Sequence, residues 1–166
     1  CCKGIERQTL AFPLDILARE RADVPGAVLC GPNFAHEIAA GLPAAAVLAA
    51  PDAAHAQSLS TLLSTPLFRL YASTDCVGVQ LGAAAKNVIA VASGVTIGAG
   101  LGENARAALI TRGLAEITRL ATALGGQAAT MAGLAGLGDL ALTCTGAASR
   151  HNQVGLDLGQ ATKKHI

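Results

Sequence analysis

The chain has 166 residues, enough for one domain or for parts of two at about 150 residues per domain. Twelve basic and eleven acidic side chains give a formal charge of +1, which offers no electrostatic reason to expect nucleic acid or an anionic membrane as a partner. Hydrophobic residues at 52% and charged residues at 14% exclude intrinsic disorder, and an aromatic content of 2% predicts a core of alanine, valine, leucine and isoleucine.

Short apolar runs alternate with helical patterns up to Ser73. The opening Cys1–Gly4 is typical of the end of a strand, and Leu10, Leu14 and Leu17 mark one face of a helix that ends at Arg19–Arg21. Further strands are predicted at Ala27–Cys30, Ala44–Ala49 and Phe68–Tyr71, with helices at Phe34–Ala40 and between Asp52 and Pro66. This alternation favours a parallel sheet covered on both faces.

After Ser73 the pattern predicts helices alone. One long helix carries apolar residues from Val77 to Val95 at spacings of three and four. Asn104 is the predicted N-cap of the next helix, in which Arg112 and Glu116 form an i,i+4 pair, and Gly125-Gly126 ends it. Short helices are expected at Asp139 and Ser149. The predicted organisation is the closing part of an α/β domain over residues 1–73 and a truncated all-helical domain over 74–166.

Position 1 is not a translation start, because Met131 is the only methionine, so we expect an internal piece of a longer reading frame. The apolar run Val88–Leu101 is too short to cross a bilayer, which takes about 20 residues, so no transmembrane helix is expected. The five scattered cysteines and four isolated histidines predict no metal site. Reduced, buried thiols in a cytoplasmic protein are the favoured interpretation.

Lys86 is the sharpest single signal for chemistry. Its helical neighbours are all small or apolar, so it does not lie on a solvated face: Gly82, Ala83, Ile89, Ala90. Two interpretations stay open from periodicity: the amine reaches water at the end of a packed stem, or it is buried, with a lowered pKa suited to acid–base chemistry.

Three other places in the sequence are candidates for ligand binding. Ser149 is a good N-cap, and with Arg150 at the first helical position it forms either an ordinary capped helix or an anion site. Asp139 is a predicted N-cap as well. Lys3 lies at the C-terminal end of the first predicted strand, and Gly31 and Asn33 follow the next one, where ligands gather in open α/β sheets. A glycine-rich dinucleotide fingerprint is absent from the chain.

Read in order, these segments resemble the bacterial NAD(P)-dependent glycerol-3-phosphate dehydrogenases. The resemblance runs from about Cys2 to Gln160 and rests on a series of motifs in family order: Lys3–Glu6, Gly31–Ala35 with Glu37, Gly78–Gly82, Lys86–Ala90, Asn104–Glu116, Gly133–Leu140, Leu142–Thr145 and Ser149-Arg150. A string of motifs at family spacing is far more specific than any one of them.

The resemblance implies the C-terminal part of a Rossmann-type dinucleotide-binding domain over residues 1–73 and a helical substrate and catalytic domain over 74–166. It implies reduction of dihydroxyacetone phosphate to sn-glycerol 3-phosphate with NADH or NADPH, for glycerophospholipid synthesis, in the cytoplasm. Lys86 takes the catalytic role of proton donor and acceptor. Substrate contacts fall on Lys3, Gly31, Asn33, Lys86, Asn87, Asp139, Thr143, Ser149, Arg150 and His151, and cofactor contacts on Lys3, Ala35 and Arg150.

The chain departs from the family at His151, where an asparagine is usual, and at Asn152 and Gln153, where basic residues are frequent. The residues that distinguish NAD from NADP lie upstream, so both stay open, as does a homodimer. Without the upstream nucleotide-binding half and the last helices, we expect this piece alone to be inactive. Two alternatives remain: a related two-domain 3-hydroxy acid dehydrogenase, and a non-catalytic helical interaction module.

Overall fold

The structure, a computed structural model, describes residues 3–163 and has an α/β part followed by a helical part. The α/β part contains α1 (Pro13–Glu20), β1 (Val28–Cys30), α2 (Ala35–Ala39), β2 (Ala44–Ala49), α3 (Ala53–Leu63) and β3 (Phe68–Ser73). The helical part contains α4 (Cys76–Gly98), α5 (Gly102–Ala123), α6 (Ala128–Ala132), a π-helical turn (Leu134–Gly138), α7 (Asp139–Thr145) and α8 (Arg150–Lys163). The predicted fold class, a closing portion of a Rossmann-type domain followed by helices, is confirmed. The boundary between residues 73 and 74 stays a prediction.

The expectation of an all-parallel sheet is wrong. The strand order is β1-β2-β3, with β2 parallel to β3 but β1 antiparallel to β2. The lengths of the connecting helices explain the difference. The eleven residues of α3 span about 16 Å, close to the length of β2, so α3 can return the chain for a parallel strand. The five residues of α2 span only about 7.5 Å, which is too short to carry the chain back to the start of a parallel strand. The chain therefore enters β2 in the direction antiparallel to β1.

Three local predictions also need correction. Leu10 lies outside α1, is 71% exposed and has a φ of 59°, because the helix begins only at Pro13. Asn104 lies in the first turn of α5 and does not cap it, since the helix begins at Gly102. Lys3 and Gly4 lie outside the strands, and the rest of the strand expected at Cys1–Gly4 falls on Cys1 and Cys2, outside the described residues.

Helix α4 is the central element of the helical part. It contacts α5, α7 and α8, and it buries mostly small side chains, which suits a core that is built largely of alanine, valine and leucine. The apolar run Val88–Leu101 covers only the second half of this helix and continues past its end at Gly98, whereas the whole 23-residue helix is long and apolar enough to cross a membrane. Its buried side chains are covered by the neighbouring helices of the same chain, as expected for the core helix of a folded domain.

Glycines bring α4 and α8 into backbone contact. A Cβ on Gly94 would overlap the carbonyl oxygen of Asn152, and a Cβ on Gly155 would overlap that of Val91. Two further glycines, Gly98 and Gly159, repeat the contact one turn along each helix. The close approach fixes α8, and therefore its first residue Arg150, against the helix that carries Lys86.

Replacing Gly155 by alanine should force the two helices apart. We expect Gly155→Ala to lower the free energy of unfolding by about 1–3 kcal/mol, the usual cost of overpacking, as measured by urea unfolding of the complete protein. Gly133→Ala is the matched control, because an added Cβ there meets nothing closer than 3.4 Å. Equal stability of the two variants would contradict the contact.

Candidate functional site

Lys86 lies in the middle of α4 and is buried, with 6% of its surface exposed. The structure therefore excludes the interpretation in which its amine reaches water. Its Nζ donates to Oδ1 of Asp139 and, over 2.8 Å, to Oγ1 of Thr143. A buried ammonium is tolerated only with such partners, so α4 and α7 are held together by a charged hydrogen-bonded contact.

Asp139 pairs with two lysines at once. Its Oδ1 accepts from Lys86, and its Oδ2 accepts from Lys3 Nζ at 2.7 Å and from Cys30 Sγ at 3.4 Å. The expectation that Asp139 caps a helix is wrong: it is the first residue of α7, Gly138 precedes the helix, and the carboxylate is turned toward the lysines. A π-helical turn, an element often found at functional sites, leads directly into Asp139.

Thr143 presents an oxygen lone pair to Lys86. Its hydroxyl donates to the backbone carbonyl of Asp139 at 2.6 Å, one turn earlier in α7, so its proton is already committed. Lys86 thus uses two of its three N–H groups on Asp139 and Thr143, and one remains for another oxygen. That is the arrangement a proton donor needs.

The two lysines of the cluster differ in proton affinity. Burial, together with the positive charge of Lys3, lowers the pKa of Lys86 even though Asp139 opposes the shift. Burial also acts to lower the pKa of Lys3, but its hydrogen bond and attraction to Asp139 outweigh it and raise that pKa. Lys3 is the more accessible, with 30% of its side chain exposed. Of the two amines, Lys86 gives up its proton more readily.

A cavity of about 200 Å³ adjoins the cluster and contains four residues expected from the resemblance: Lys3, Gly31, Asn33 and Ala35. Gly31 lies so close to β2 that a Cβ would come within 2.8 Å of the Cα of Ala46, so only glycine fits. Asn33 donates to the carbonyl of Ala45 at 3.2 Å, but its Oδ1 is buried with no hydrogen-bond partner. An orphaned buried acceptor at a cavity is where a ligand would donate a hydrogen bond.

The start of α8 forms a third group. Ser149 is buried and its Oγ accepts from the backbone N–H of Asn152 at 3.3 Å, so the predicted N-cap is confirmed. Arg150 and His151 are exposed. Asn152 donates to the carbonyls of Ala90 and Cys144, which ties the helix start to α4 and α7. None of the described hydrogen bonds joins Ser149, Arg150 or His151 to the lysine cluster.

The structure thus brings together Lys3, Lys86, Asp139 and Thr143, and it joins the cavity to them through Lys3. Asn87 is half-buried beside Lys86, with no side-chain hydrogen bond among residues 3–163. Sequence reasoning missed Cys30, which it treated as one of several buried thiols. Its position directly before Gly31, at the carboxyl end of a strand, was the available signal.

Among residues 3–163, no group of three or more histidine, cysteine or acidic residues is placed to hold a metal ion. Cys30, Cys76 and Cys144 are free thiols, and the first and last of them are buried, as expected. Cys1 and Cys2 lie outside the described residues.

Removing the charge of Asp139 should destabilise the fold in a pH-dependent way. We expect Asp139→Asn to lower the free energy of unfolding by about 3–5 kcal/mol at neutral pH, because two ammonium groups lose their counter-ion. Burial already lowers the pKa of Lys86 below its usual 10.5, so the charged amine opposes folding at neutral pH. Without Asp139 this opposition grows. It disappears once rising pH removes the proton from the amine, so the part of the stability loss that comes from Lys86 should fade as the pH rises toward 10.5.

Urea unfolding at several pH values measures this effect, and Asp157→Asn, an exposed position on α8, is the control. A loss of stability that does not depend on pH between neutrality and pH 10 would contradict the role of the Lys86 charge.

Two family models match the chain. The N-terminus of NAD-dependent glycerol-3-phosphate dehydrogenase matches residues 1–56, and the C-terminus of the same family matches residues 75–166. Among curated relatives, the glycerol-3-phosphate dehydrogenase (NAD(P)+) of Gluconobacter oxydans is 65% identical over 160 residues, which cover 96% of this chain and 49% of the relative. The Agrobacterium fabrum protein of the same name is 54% identical over 166 residues, covering 100% and 51%.

Solved structures give the same result. The glycerol-3-phosphate dehydrogenase of Coxiella burnetii superimposes with a TM-score of 0.91 at 44% identity, covering 98% of this chain and 50% of that one. A glycerol-3-phosphate dehydrogenase of Saccharomyces cerevisiae gives 0.86 at 28% identity, covering 98% and 49%. The chain spans about half the length of the relatives it matches. On this agreement of sequence, fold and motif order, the chain belongs to the NAD-dependent glycerol-3-phosphate dehydrogenase family.

Proposed function

We propose that the complete protein that contains this chain reduces dihydroxyacetone phosphate to sn-glycerol 3-phosphate with NADH or NADPH, and so supplies glycerophospholipid synthesis. The observation that carries the proposal is the buried Lys86, which is held by Asp139 and Thr143 and has one N–H left to donate. Family membership and the names of the relatives support the same substrate and cofactor.

The residues present fit the reactive end of a nicotinamide cofactor. The cavity lined by Gly31, Asn33 and Ala35 lies beside Lys3, and the orphaned Oδ1 of Asn33 suits an amide donor. Lys3, Ala35 and Arg150 are the residues that would hold the cofactor in this chain. When bound, the reduced nicotinamide supplies the hydride that the ketone carbon accepts.

Lys86 performs the proton transfer in this proposal. As hydride reaches the central carbon, the carbonyl oxygen gains negative charge, and the third N–H of Lys86 gives that oxygen its proton. Asp139 and Thr143 orient the amine. The lowered pKa of Lys86 makes the amine a better acid here than lysine is in water, and the reverse reaction returns the proton to it.

The substrate phosphate is assigned to the start of α8. The positive end of the helix dipole and the first-turn backbone N–H groups that Ser149 does not cap favour an anion, and Arg150 adds a guanidinium that can bind phosphate in a bidentate way. Arg150 is exposed and free to reach such a ligand. The contact of α8 with α4 keeps this helix end on the same body as Lys86.

The proposal places the enzyme in the cytoplasm, with small-molecule substrates and no nucleic-acid partner. The three described cysteines support a reducing compartment, since none is paired. The formal charge of +1 supports the absence of a nucleic-acid partner. NAD and NADP remain equal candidates, and a homodimer remains a candidate assembly.

Lys86→Ala in the complete protein should reduce kcat with dihydroxyacetone phosphate by about 10²–10⁴-fold, because the oxygen then has no positioned proton donor. Absorbance of NADH and NADPH measures the rate and identifies the preferred nucleotide. Arg112→Ala, on the exposed face of α5, is the control and should retain full activity. A non-catalytic interaction module predicts instead that Lys86→Ala changes only stability, and an inactive wild type would contradict the proposal.

Arg150→Ala should raise KM for dihydroxyacetone phosphate by about tenfold or more, since a charge-assisted hydrogen bond to phosphate is lost. Gln153→Ala, an exposed position on the same helix, should leave KM unchanged. Steady-state kinetics with each variant distinguishes this enzyme from a 3-hydroxy acid dehydrogenase of the same plan. Such an enzyme has no phosphate to hold and should be indifferent to Arg150→Ala.

A further inference from the structure

The Asp139 carboxylate receives hydrogen bonds from both parts of the fold. Its Oδ1 faces Lys86 on α4, while its Oδ2 accepts from Lys3 and from the Cys30 thiol at 3.4 Å. Lys3 and Cys30 belong to the α/β part, and Asp139 begins a helix of the helical part. The orientation of this carboxylate therefore depends on groups that lie outside its own domain.

Of the two donors to Oδ2, Cys30 is the rigid one. It is the last residue of β1, pairs with Val47 of β2 and is 3% exposed. The next residue, Gly31, is in close backbone contact with β2, so the strand end cannot shift. Lys3, by contrast, lies on a segment without helix or strand, and 30% of its side chain is exposed.

The Cys30 thiol stays a donor under all working conditions. Burial, with a further contribution from the charge of Asp139, raises its pKa to about 12. The thiol therefore carries its proton throughout the pH range in which an enzyme operates, and it is not a nucleophile at neutral pH.

We propose that the Cys30 thiol is a positioning residue: it holds the Asp139 carboxylate in the orientation that presents Oδ1 to Lys86, and thereby controls the proton transfer by Lys86. The catalytic consequence of this proposal rests on the function proposed above. Its structural part, that the thiol orients the Asp139 carboxylate toward Lys86, does not depend on that function.

Loss of the thiol should act in two ways. Oδ2 would keep only its bond to Lys3, so the carboxylate charge would be less dispersed and would attract the Lys86 ammonium more strongly, which raises the pKa of Lys86. The carboxylate would also turn more freely and position the amine less well.

Several other titratable and charged groups surround Lys86 and influence its pKa. They are Asp139 and Cys144 on α7, Lys3, Cys30 on β1 and, near Cys144, Arg106 on α5.

The test uses the complete protein with Cys30→Val, which keeps the bulk but removes the donor, and Cys30→Ser, which keeps a donor. Cys76→Val is the matched control, because Cys76 packs against the same apolar cluster as Cys30 without bonding to Asp139. We expect Cys30→Val to lower kcat for ketone reduction about fivefold, the effect of one modest hydrogen bond, with KM nearly unchanged. The alkaline limb of its kcat profile should move to higher pH, and Cys30→Ser and Cys76→Val should stay close to wild type.

Carbon-13 NMR of labelled lysine Cε, titrated with pH, measures the pKa of Lys86 without turnover. The proposal expects a higher Lys86 pKa in Cys30→Val than in Cys30→Ser. If Cys30→Val does not fold, Cys30→Ala takes its place. Equal profiles and equal Lys86 titration in Cys30→Val and Cys76→Val would overturn the proposal, and so would failure of Cys30→Ser to restore both. A wild type without turnover would contradict the proposed function alone, and the NMR comparison would then decide the role of Cys30.

Discussion

A buried lysine next to a second lysine is stable only if a carboxylate lies between them, and Asp139 meets that requirement here. Its two oxygens pair with Lys86 and Lys3, with only 2% of the residue exposed. Ion pairs of this kind contribute little net stability, since removing the charges from water costs about as much as their attraction returns. What the pair determines is geometry: it sets where the Lys86 amine lies and how readily the amine releases a proton.

The surrounding fold holds Lys86 and Asp139 in this arrangement. The π-helical turn leads directly into Asp139, and Gly82 on α4 leaves room for the backbone carbonyl of Ala135 in that turn. Asp75 caps α4 at Gly78 and also accepts from the backbone N–H of Gln127, which fixes the start of the helix that carries Lys86. The end of β1 supplies Cys30 from the other part of the chain. Backbone contacts and buried hydrogen bonds therefore do most of the positioning, in a core with few large side chains.

Patterns that depend on local chemistry could be predicted from the sequence. The bounds of β2, the long helix around Lys86, the Ser149 cap and the Arg112–Glu116 pair all follow from periodicity and capping rules, and the structure contains them. The reversed direction of β1 could not be predicted from alternation alone, because it depends on the length of α2. Asp139 looked like a helix cap because its partners, Lys3 and Lys86, are 136 and 53 residues away. Cys30 was missed for a related reason: its position before Gly31 at the end of a strand indicates a site, but not that its partner is a carboxylate 109 residues further on.

The central claim is that Lys86 moves the proton, and the pH dependence of kcat in both directions of the reaction tests it most directly. Ketone reduction needs the protonated amine, so its kcat should fall as pH rises through the pKa of Lys86. Alcohol oxidation needs the neutral amine, so its kcat should rise over the same range, with both midpoints below the ordinary lysine value of 10.5. Profiles that change in the same sense in both directions, or that show no transition below pH 10.5, would contradict the account.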